Sequence, residues 1–352
     1  ERSQSFMKQR LFSISLFLLV TLTCLAIIEV TLRYFVFIPW NEENIVNNPD
    51  HRMTHLSHNN INSDGIRSRE EASDYRDEDL NIIFLGDSFM YGWRLKMGQT
   101  IPAEFERLAH ARGYEQVHAA NFGWVSSSPF LSRRLLVDIG QKYKPDLVVL
   151  LLDMTDIFDD RLYQNIVEQK RFFAIGRFIP GITLLISKVN QTLWQSDFLA
   201  DTLFGIPARR YFIAEQPLES TRNSFDNTMK NIDDINSYCR ESLGVPFALF
   251  IMPRHFQYDA RLSPDNWEKK QYALLGPFAL EPFRYFDEVA KKRAYPVISL
   301  LPDLQHTNVF PTTFQDDPHL NENGSRFTAE VMFRYLRSAY PVLFPVSADS
   351  AN

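Results

Sequence analysis

Side chains of the kinds used in nucleophilic catalysis occur near opposite ends of the sequence. Ser88 follows an apolar run in "NIIFLGDSF", and His319 lies in "QDDPHLNENG". A serine becomes nucleophilic near neutral pH when a histidine takes its proton, and a carboxylate fixes the tautomer of that histidine. Asp316 and Asp317 both precede His319 closely enough for that task. Alternatively, Ser88 could be only a helix N-cap, because serine is common at that position.

The segments around these residues predict a parallel α/β sheet. Short apolar runs such as "LNIIFLG", "DLVVLLLD" and "VPFALFIMP" are separated by longer stretches with helical signals. This alternation indicates βαβ units, which place the carboxyl ends of all strands at one edge of the sheet. Ligand sites of open α/β sheets lie at that edge. Ser88, directly after the first strand, therefore falls where a site is expected.

Further candidate residues follow the other strands. Gly123 in "NFGW" could bring a backbone N–H close to a developing oxyanion. Thr155 lies in "DMTD", after the third strand. Arg254 and His255 in "IMPRHF" could contact an anionic or sugar substrate, although loop residues without such a role are commoner.

The ordered set "GDSF", "NFG", "DMTD" and "DDPH" resembles the SGNH/GDSL hydrolase family. The resemblance implies a flavodoxin-like three-layer α/β/α sandwich. It also implies that Ser88 is the nucleophile and His319 the base. The carboxylate three positions before the histidine in this family corresponds to Asp316, and Asp317 is the alternative acid.

The third block departs from the pattern of the family. The family usually has G-x-N-D there, and this chain has Asp153, Met154, Thr155 and Asp156. The resemblance implies that Gly123 and the residue at Thr155 donate hydrogen bonds to the oxyanion. A threonine hydroxyl can donate, but it is shorter than the usual amide, and Asp153 adds negative charge nearby. Two alternatives stay open, a working donor at Thr155 and a site that has lost its chemistry.

The N-terminus carries a candidate membrane anchor. Leu11 to Ile28 contains no charged residue and would span about 27 Å as a helix. Lys8 and Arg10 precede it, which predicts a cytoplasmic N-terminus. A cleaved signal peptide is the alternative, but the apolar run is long for one and no small-x-small site follows closely.

These patterns predict the following organisation: a cytoplasmic N-terminus over 1–10, a transmembrane anchor over 11–36, a juxtamembrane linker over 37–78 and a hydrolase-like domain over 79–345, with a helical cap inserted at 158–212. "NSDGIRSRE" and "YKPDLVVL" resemble the membrane-anchored bacterial branch of the same family. That resemblance implies a single-pass protein of the bacterial inner membrane with its catalytic domain in the periplasm.

Composition excludes several other classes of protein. The 352 residues carry a net charge of -6, without the basic excess that nucleic-acid binding needs. Two cysteines lie far apart, so neither a disulfide framework nor a cysteine-based metal site is indicated. The sequence has no P-loop and no dinucleotide-binding glycine pattern. We therefore expect no cofactor and no metal.

Two functions are consistent with these features. The first is a membrane-anchored serine esterase or O-acyltransferase that acts on acyl groups, acetyl included, of envelope glycans. Its partners would be an acylated glycan or another ester, and membrane lipid around the N-terminal helix. The second is a catalytically weak or inactive SGNH-fold subunit of a membrane protein complex, which the altered third block and the aromatic-rich insertion favour.

Overall fold

The chain folds into two compact units, and each is described by itself. One comprises Glu1–Pro49 with Val167–Ile206, and the other comprises Asp50–Ile166 with Pro207–Asn352. The structure, a computed structural model, describes residues 2–32, 35, 61–168, 179, 181–182, 185, 189, 211–259, 261 and 277–345.

The second unit is built on a five-stranded sheet with the order β2-β1-β3-β4-β5. All four neighbouring pairs are parallel. This is the strand order of flavodoxin-like doubly wound folds. The predicted flavodoxin-like parallel α/β fold is thus confirmed. The strands are β1 Leu80–Gly86, β2 Val117–Gly123, β3 Leu147–Asp153, β4 Phe247–Met252 and β5 Val297–Ser299.

The central strands are apolar throughout because helices cover both faces of the sheet. Alternate residues of β1 enter different cores, since successive strand side chains point to opposite faces. Ile83 and Leu85 belong to one hydrophobic cluster, and Ile82 and Phe84 belong to the other. A strand buried in this way reads as a continuous apolar run.

In chain order, the α-helices whose bounds the structure describes are α1 Arg2–Thr31, α2 Ser88–Tyr91, α3 Ile101–His110, α4 Pro129–Ile139, α5 Asp156–Glu168, α6 Phe212–Glu215, α7 Leu218–Tyr238, α8 His255–Tyr258, α9 Glu281–Ala290, α10 Leu301–His306 and α11 Glu322–Ala339. Side chains of α4, α7 and α9 pack on one face of the sheet, and those of α3 and α11 pack on the other. These helices and the sheet form the three layers.

Residues 61–78, predicted as the end of a loosely packed linker, are instead packed into the second unit. Tyr75 lies in the core, and Asn62 donates a hydrogen bond to the Tyr143 hydroxyl at 2.8 Å. The buried Arg67 guanidinium donates to three backbone carbonyls, those of Tyr91, Gly92 and Leu95. The polar composition misled the prediction because these polar side chains bond to groups of the fold rather than to water.

The first unit contains α1. Its stretch Phe6–Thr31 has 26 residues and a mean hydropathy of 2.6, long and apolar enough to cross a membrane. The helix begins earlier than the predicted anchor over 11–36. Of the predicted cap over 158–212, α5 and a few single positions are described, and most of 169–210 lies outside the described residues.

Candidate active site

Ser88 and His319, 231 positions apart in the chain, are in hydrogen-bond contact. The distance between Ser88 Oγ and His319 Nε2 is 2.8 Å, and both residues are buried. Ser88 follows the carboxyl end of β1, and His319 lies in the loop before α11. The edge of the parallel sheet where β1 ends is therefore the place where the two side chains meet.

The turn at the end of β1 places Ser88 inside α2 rather than before it. Gly86 has a φ of 157°, and a Cβ there would lie 2.8 Å from Met90 Cβ and 2.9 Å from the Leu151 carbonyl oxygen. Asp87 is the N-cap of α2, because its Oδ1 accepts the Phe89 N–H at 2.9 Å. The cap function is thus taken by Asp87. Ser88 is the first helical residue, whose N–H has no acceptor within a helix.

A second capping interaction fixes the loop that carries His319. The Asn321 side chain accepts the N–H groups of Asn323 and Gly324 at the start of α11. Its Nδ2 donates to the carbonyls of Pro311 and Thr313, at 3.0 and 2.9 Å. Both ends of the amide are therefore bonded, which holds the loop two residues beyond the imidazole.

Asp317, not Asp316, is the carboxylate next to the imidazole. Asp317 Oδ1 lies 2.5 Å from His319 Nδ1. The predicted acid Asp316 instead accepts a hydrogen bond from Arg94 Nη1 at 2.8 Å, and its side chain is 72% exposed. The assignment of Asp316 is corrected accordingly. The physical reason is local, because Asp317 also accepts the N–H of His319, which turns its carboxylate toward the ring.

A lowered pKa favours the ionised form of Asp317, which can accept the hydrogen bond from His319 Nδ1. Burial acts to raise its pKa, but the hydrogen bond and charge of His319 outweigh burial, so the pKa lies below its usual value. An ionised Asp317 accepts a hydrogen bond from the Nδ1–H of His319, and in that tautomer the Nε2 lone pair faces the Ser88 hydroxyl. Ser88 Oγ also lies 3.2 Å from Asp87 Oδ2, a longer contact than the one to His319.

The two predicted oxyanion donors already have acceptors. The Gly123 N–H donates to the Asn121 Oδ1 at 2.9 Å. The Thr155 hydroxyl donates to Asp153 Oδ2 at 2.6 Å, and the Thr155 N–H donates to the same oxygen at 3.1 Å. The structure therefore places both residues at the sheet edge without presenting either hydrogen to a substrate.

Gly123 has a different visible role. A Cβ at this position would lie 2.3 Å from the Tyr91 nitrogen and 2.7 Å from the Met90 carbonyl carbon. The absence of a side chain at Gly123 allows the end of β2 to approach the backbone of α2 closely. Asn121 supports the same contact, because its Nδ2 donates to the Met90 carbonyl at 3.1 Å. Sequence reasoning missed Asn121, although it lies two residues before the glycine on the same strand face.

Arg254 forms a buried ion pair with Asp153. Its Nη2 lies 2.5 Å from Asp153 Oδ2, and the two side chains are 3% and 0% exposed. The guanidinium carbon also lies 4.9 Å from the centre of the Phe89 ring. Arg254, predicted as a substrate contact, is thus bonded to the protein. Its neighbour His255 is buried, and burial together with the Arg254 charge lowers its pKa to about 3, so it is neutral.

Three carboxyl groups lie together, and one of them, Asp87, contacts Ser88. Oxygens of Asp87, Asp153 and Asp156 are within 4.8 Å of one another, and all three residues are buried. Burial and the Asp153 charge raise the pKa of Asp87 to about 6. Burial and the charges of Asp87 and Asp153 raise the pKa of Asp156 well above its usual value.

Asp153 differs from the other two carboxyl groups. Burial alone would raise its pKa, but the Arg254 charge and the Thr155 hydrogen bonds hold it below its usual value. The oxygens are close enough to hold a cation, as are ligand atoms of Glu70, Glu106 and His118 elsewhere.

No family model and no curated protein sequence matches the chain. Solved structures with a similar fold include a candidate lipolytic protein of the G-D-S-L family from Desulfitobacterium hafniense DCB-2. It is 13% identical, with a TM-score of 0.38, over 73% of this chain and 99% of that one.

Two further solved structures are similar to a comparable degree. One is a carbohydrate acetylesterase family member from Sinorhizobium meliloti, 11% identical with a TM-score of 0.42, over 74% of this chain and 99% of that one. The other is a lipase/acylhydrolase from Enterococcus faecalis, 14% identical with a TM-score of 0.39, over 74% and 96%. At these identities and TM-scores they assign no substrate to this chain.

Proposed function

We propose that this chain is a serine ester hydrolase or O-acyltransferase of the SGNH/GDSL type, held at a membrane by α1. The observation that carries the proposal is the continuous contact from Ser88 Oγ to His319 Nε2 and from His319 Nδ1 to Asp317. This order of nucleophile, base and orienting carboxylate is recognised by geometry rather than by sequence position.

The chemistry follows from the hydrogen bonds. The Ser88 oxygen attacks an ester carbonyl carbon while its proton passes to His319 Nε2. Asp317 holds the other ring nitrogen and stabilises the imidazolium that forms. The imidazolium then protonates the departing alkoxide, which leaves an acyl-enzyme on Ser88. Water, or a sugar hydroxyl in a transferase, attacks that ester with the same histidine as base.

The oxyanion would be held first by the Ser88 N–H at the start of α2. Gly123 and Thr155 remain candidates for the other donors, but each would have to exchange its present acceptor for the substrate. Loss of one oxyanion donor typically costs about 10²–10³ in rate. The proposed enzyme is therefore slow unless substrate binding redirects one of these hydrogens.

The proposed substrates are acyl groups, acetyl included, on envelope glycans, and the proposed location is the bacterial inner membrane with the second unit in the periplasm. Motif similarity to the membrane-anchored bacterial branch supports the substrate class. Lys8 and Arg10, before the apolar stretch of α1, support the orientation.

A second candidate function is supported by one specific observation. Both predicted oxyanion donors are bonded elsewhere, and the Asp153 carboxylate stands in the altered third block. This arrangement favours a weakly active or inactive subunit of a membrane protein complex. Stable co-purification of the chain with a membrane protein, without ester turnover, would support that alternative.

Labelling with a serine-reactive fluorophosphonate tests the proposed enzyme. We expect the full chain in detergent to be labelled and the Ser88→Ala variant to remain unlabelled. Ser127→Ala is a matched control, because Ser127 is also a buried serine after a strand but bonds to Ser132 Oγ at 3.2 Å. No label on the native chain, or equal label on Ser88→Ala, would reject the catalytic role of Ser88.

A further inference from the structure

One acidic side chain near the end of α1 is buried, although its neighbours on the helix are exposed. Glu29 is 9% exposed, whereas Ile27 and Ile28 are 61% and 44% exposed. Glu29 also lies within the apolar stretch Phe6–Thr31. An acid in a membrane-spanning segment is costly unless it is hydrogen-bonded, and such residues usually have a function.

The partner of Glu29 is the start of a second helix in the same unit. Its Oε1 accepts the N–H of Gly181 at 2.9 Å, and its Oε2 accepts the N–H of Ile182 at 2.8 Å. Both residues are helical. The first N–H groups of a helix have no intrahelical acceptors and attract negative charge. The carboxylate therefore joins α1 to the inserted segment 167–206.

Two further described residues of this segment expose apolar side chains. Leu185 and Val189 are helical, and their spacing of four puts them on the same side. They are 40% and 48% exposed. Ile182 to Val189 contains one charged residue, Lys188. An exposed face of this kind, next to an apolar spanning helix, needs an apolar partner.

We propose that this segment is a second membrane-contacting element, with Leu185 and Val189 against lipid beside the C-terminal end of α1 and Glu29 fixing its start. The segment is bonded to α1 through Glu29, and α1 itself exposes apolar side chains such as Leu25, Ile28 and Val30, which makes lipid the occupant. This inference rests on the proposed membrane anchoring of α1.

Spin labels on single cysteines in the full chain, reconstituted in phosphatidylcholine/phosphatidylglycerol vesicles, test the proposal. Cys239 is buried and burial raises the pKa of its thiol to about 12, so the exposed Cys24 is the native labelling site. In a Cys24→Ser background, labels at Leu185→Cys and Val189→Cys should collide with oxygen more than with a water-soluble nickel chelate.

Two reference positions separate the outcomes. A label on native Cys24 reports α1, and a label at Val342→Cys, where the native side chain is 90% exposed, reports the second unit. Labels at 185 and 189 that match Cys24 support the proposal. A lipid signal at Cys24 with nickel contact at 185 and 189 overturns this inference alone. Nickel contact at Cys24 overturns the anchoring proposal as well.

The role of Glu29 is tested in the Leu185→Cys chain. Glu29→Ala removes both acceptors, so the label should gain nickel contact and mobility. Glu29→Gln keeps one carbonyl acceptor and should change the label less. An unchanged label in Glu29→Ala would show that the carboxylate does not fix the helix. Fluorophosphonate labelling of Ser88 is a separate readout and distinguishes failure of this inference from failure of the enzyme proposal.

Discussion

Asp317 Oδ1 contacts His319 twice, at 2.5 Å from the ring Nδ1 and at 2.9 Å from the backbone nitrogen. One carboxylate oxygen therefore bonds to both the side chain and the backbone of the residue two positions later. The turn that results directs the imidazole so that Nδ1 faces Asp317. The other ring nitrogen, Nε2, lies 2.8 Å from Ser88 Oγ.

The first prediction separates the two adjacent aspartates. Asp317→Asn should lower the kcat of ester hydrolysis by about 10⁴, because an amide favours the wrong tautomer of His319. Asp316→Asn is the matched control and should change kcat little, since the Asp316 side chain is exposed and accepts its hydrogen bond from Arg94, not from His319. Initial rates with a chromogenic acetate ester measure both. Equal losses in the two variants would contradict the assignment of Asp317.

The second prediction concerns the buried ion pair. Arg254→Met leaves the Asp153 charge unpaired next to two other carboxyl groups, so the free energy of unfolding should fall by about 3–5 kcal/mol. Adding Asp153→Asn removes that charge and should restore much of the loss. Urea unfolding in detergent gives these values.

Arg240→Met is the control for that experiment, because the Arg240–Glu241 pair is exposed on both sides. Its midpoint of unfolding should match that of the native chain. A double variant as unstable as Arg254→Met alone would mean that the cost comes from lost packing on Phe89 and not from the unpaired charge.

The third prediction tests the close approach at the end of β2. Gly123→Ala puts a methyl group 2.3 Å from the Tyr91 nitrogen, so α2 must shift. Overpacking of this kind costs about 1–3 kcal/mol, and movement of α2 should also slow labelling of Ser88. Gly98→Ala, with nothing within 4 Å of the added carbon, should leave both quantities unchanged. Normal labelling of Gly123→Ala would show that the contact does not position Ser88.

The fourth prediction follows from Asp160. Burial raises its pKa to about 7, although hydrogen bonds from Asn231 and the Phe130 N–H oppose the shift. Between the ordinary pKa of 3.8 and about 7, the native state binds a proton that the unfolded state does not. The contribution of Asp160 to the free energy of unfolding is therefore complete below pH 4 and decreases as pH rises toward 7.

Asp160→Asn should remove this dependence on pH. We expect the difference in free energy of unfolding, native minus variant, to fall with a slope of at most about 1.4 kcal/mol per pH unit and to level off above pH 7. Urea unfolding at pH 5, 6, 7 and 8 measures the difference. A difference that stays constant over this range would contradict the raised pKa of Asp160.

The sheet could be predicted from the sequence because its strands are apolar runs between helical segments. The same topology led to the expectation that Ser88 and residues near the C-terminus share one edge, and the structure brings Ser88 and His319 together there. The choice between Asp316 and Asp317 could not be made, because it depends on the backbone angles of one turn. Spacing taken from the family motif selected the exposed residue.

Two other features were missed for different reasons. Asp153 is the last residue of β3, and Arg254 follows the adjacent strand β4. Opposite charges at the ends of neighbouring strands were therefore a signal for their pairing. Arg67 gave no such signal, because its acceptors are three backbone carbonyls that have no mark in the sequence. From the sequence alone, a polar stretch whose side chains bond to backbone carbonyls cannot be distinguished from a solvated linker.

The first unit consists of two separate stretches of the chain, and this affects how α1 could be detached from the unit that carries Ser88. The polypeptide passes between the units three times, after residues 49, 166 and 206. A single proteolytic cut between 37 and 60 would separate α1 from Ser88 along the chain, yet 167–206 would stay covalently attached to the Ser88 unit. The two hydrogen bonds of Glu29 would then be among the contacts that keep α1 attached to segment 167–206 of the cut chain. Separation of α1 would require those contacts to dissociate as well as one peptide bond to be hydrolysed.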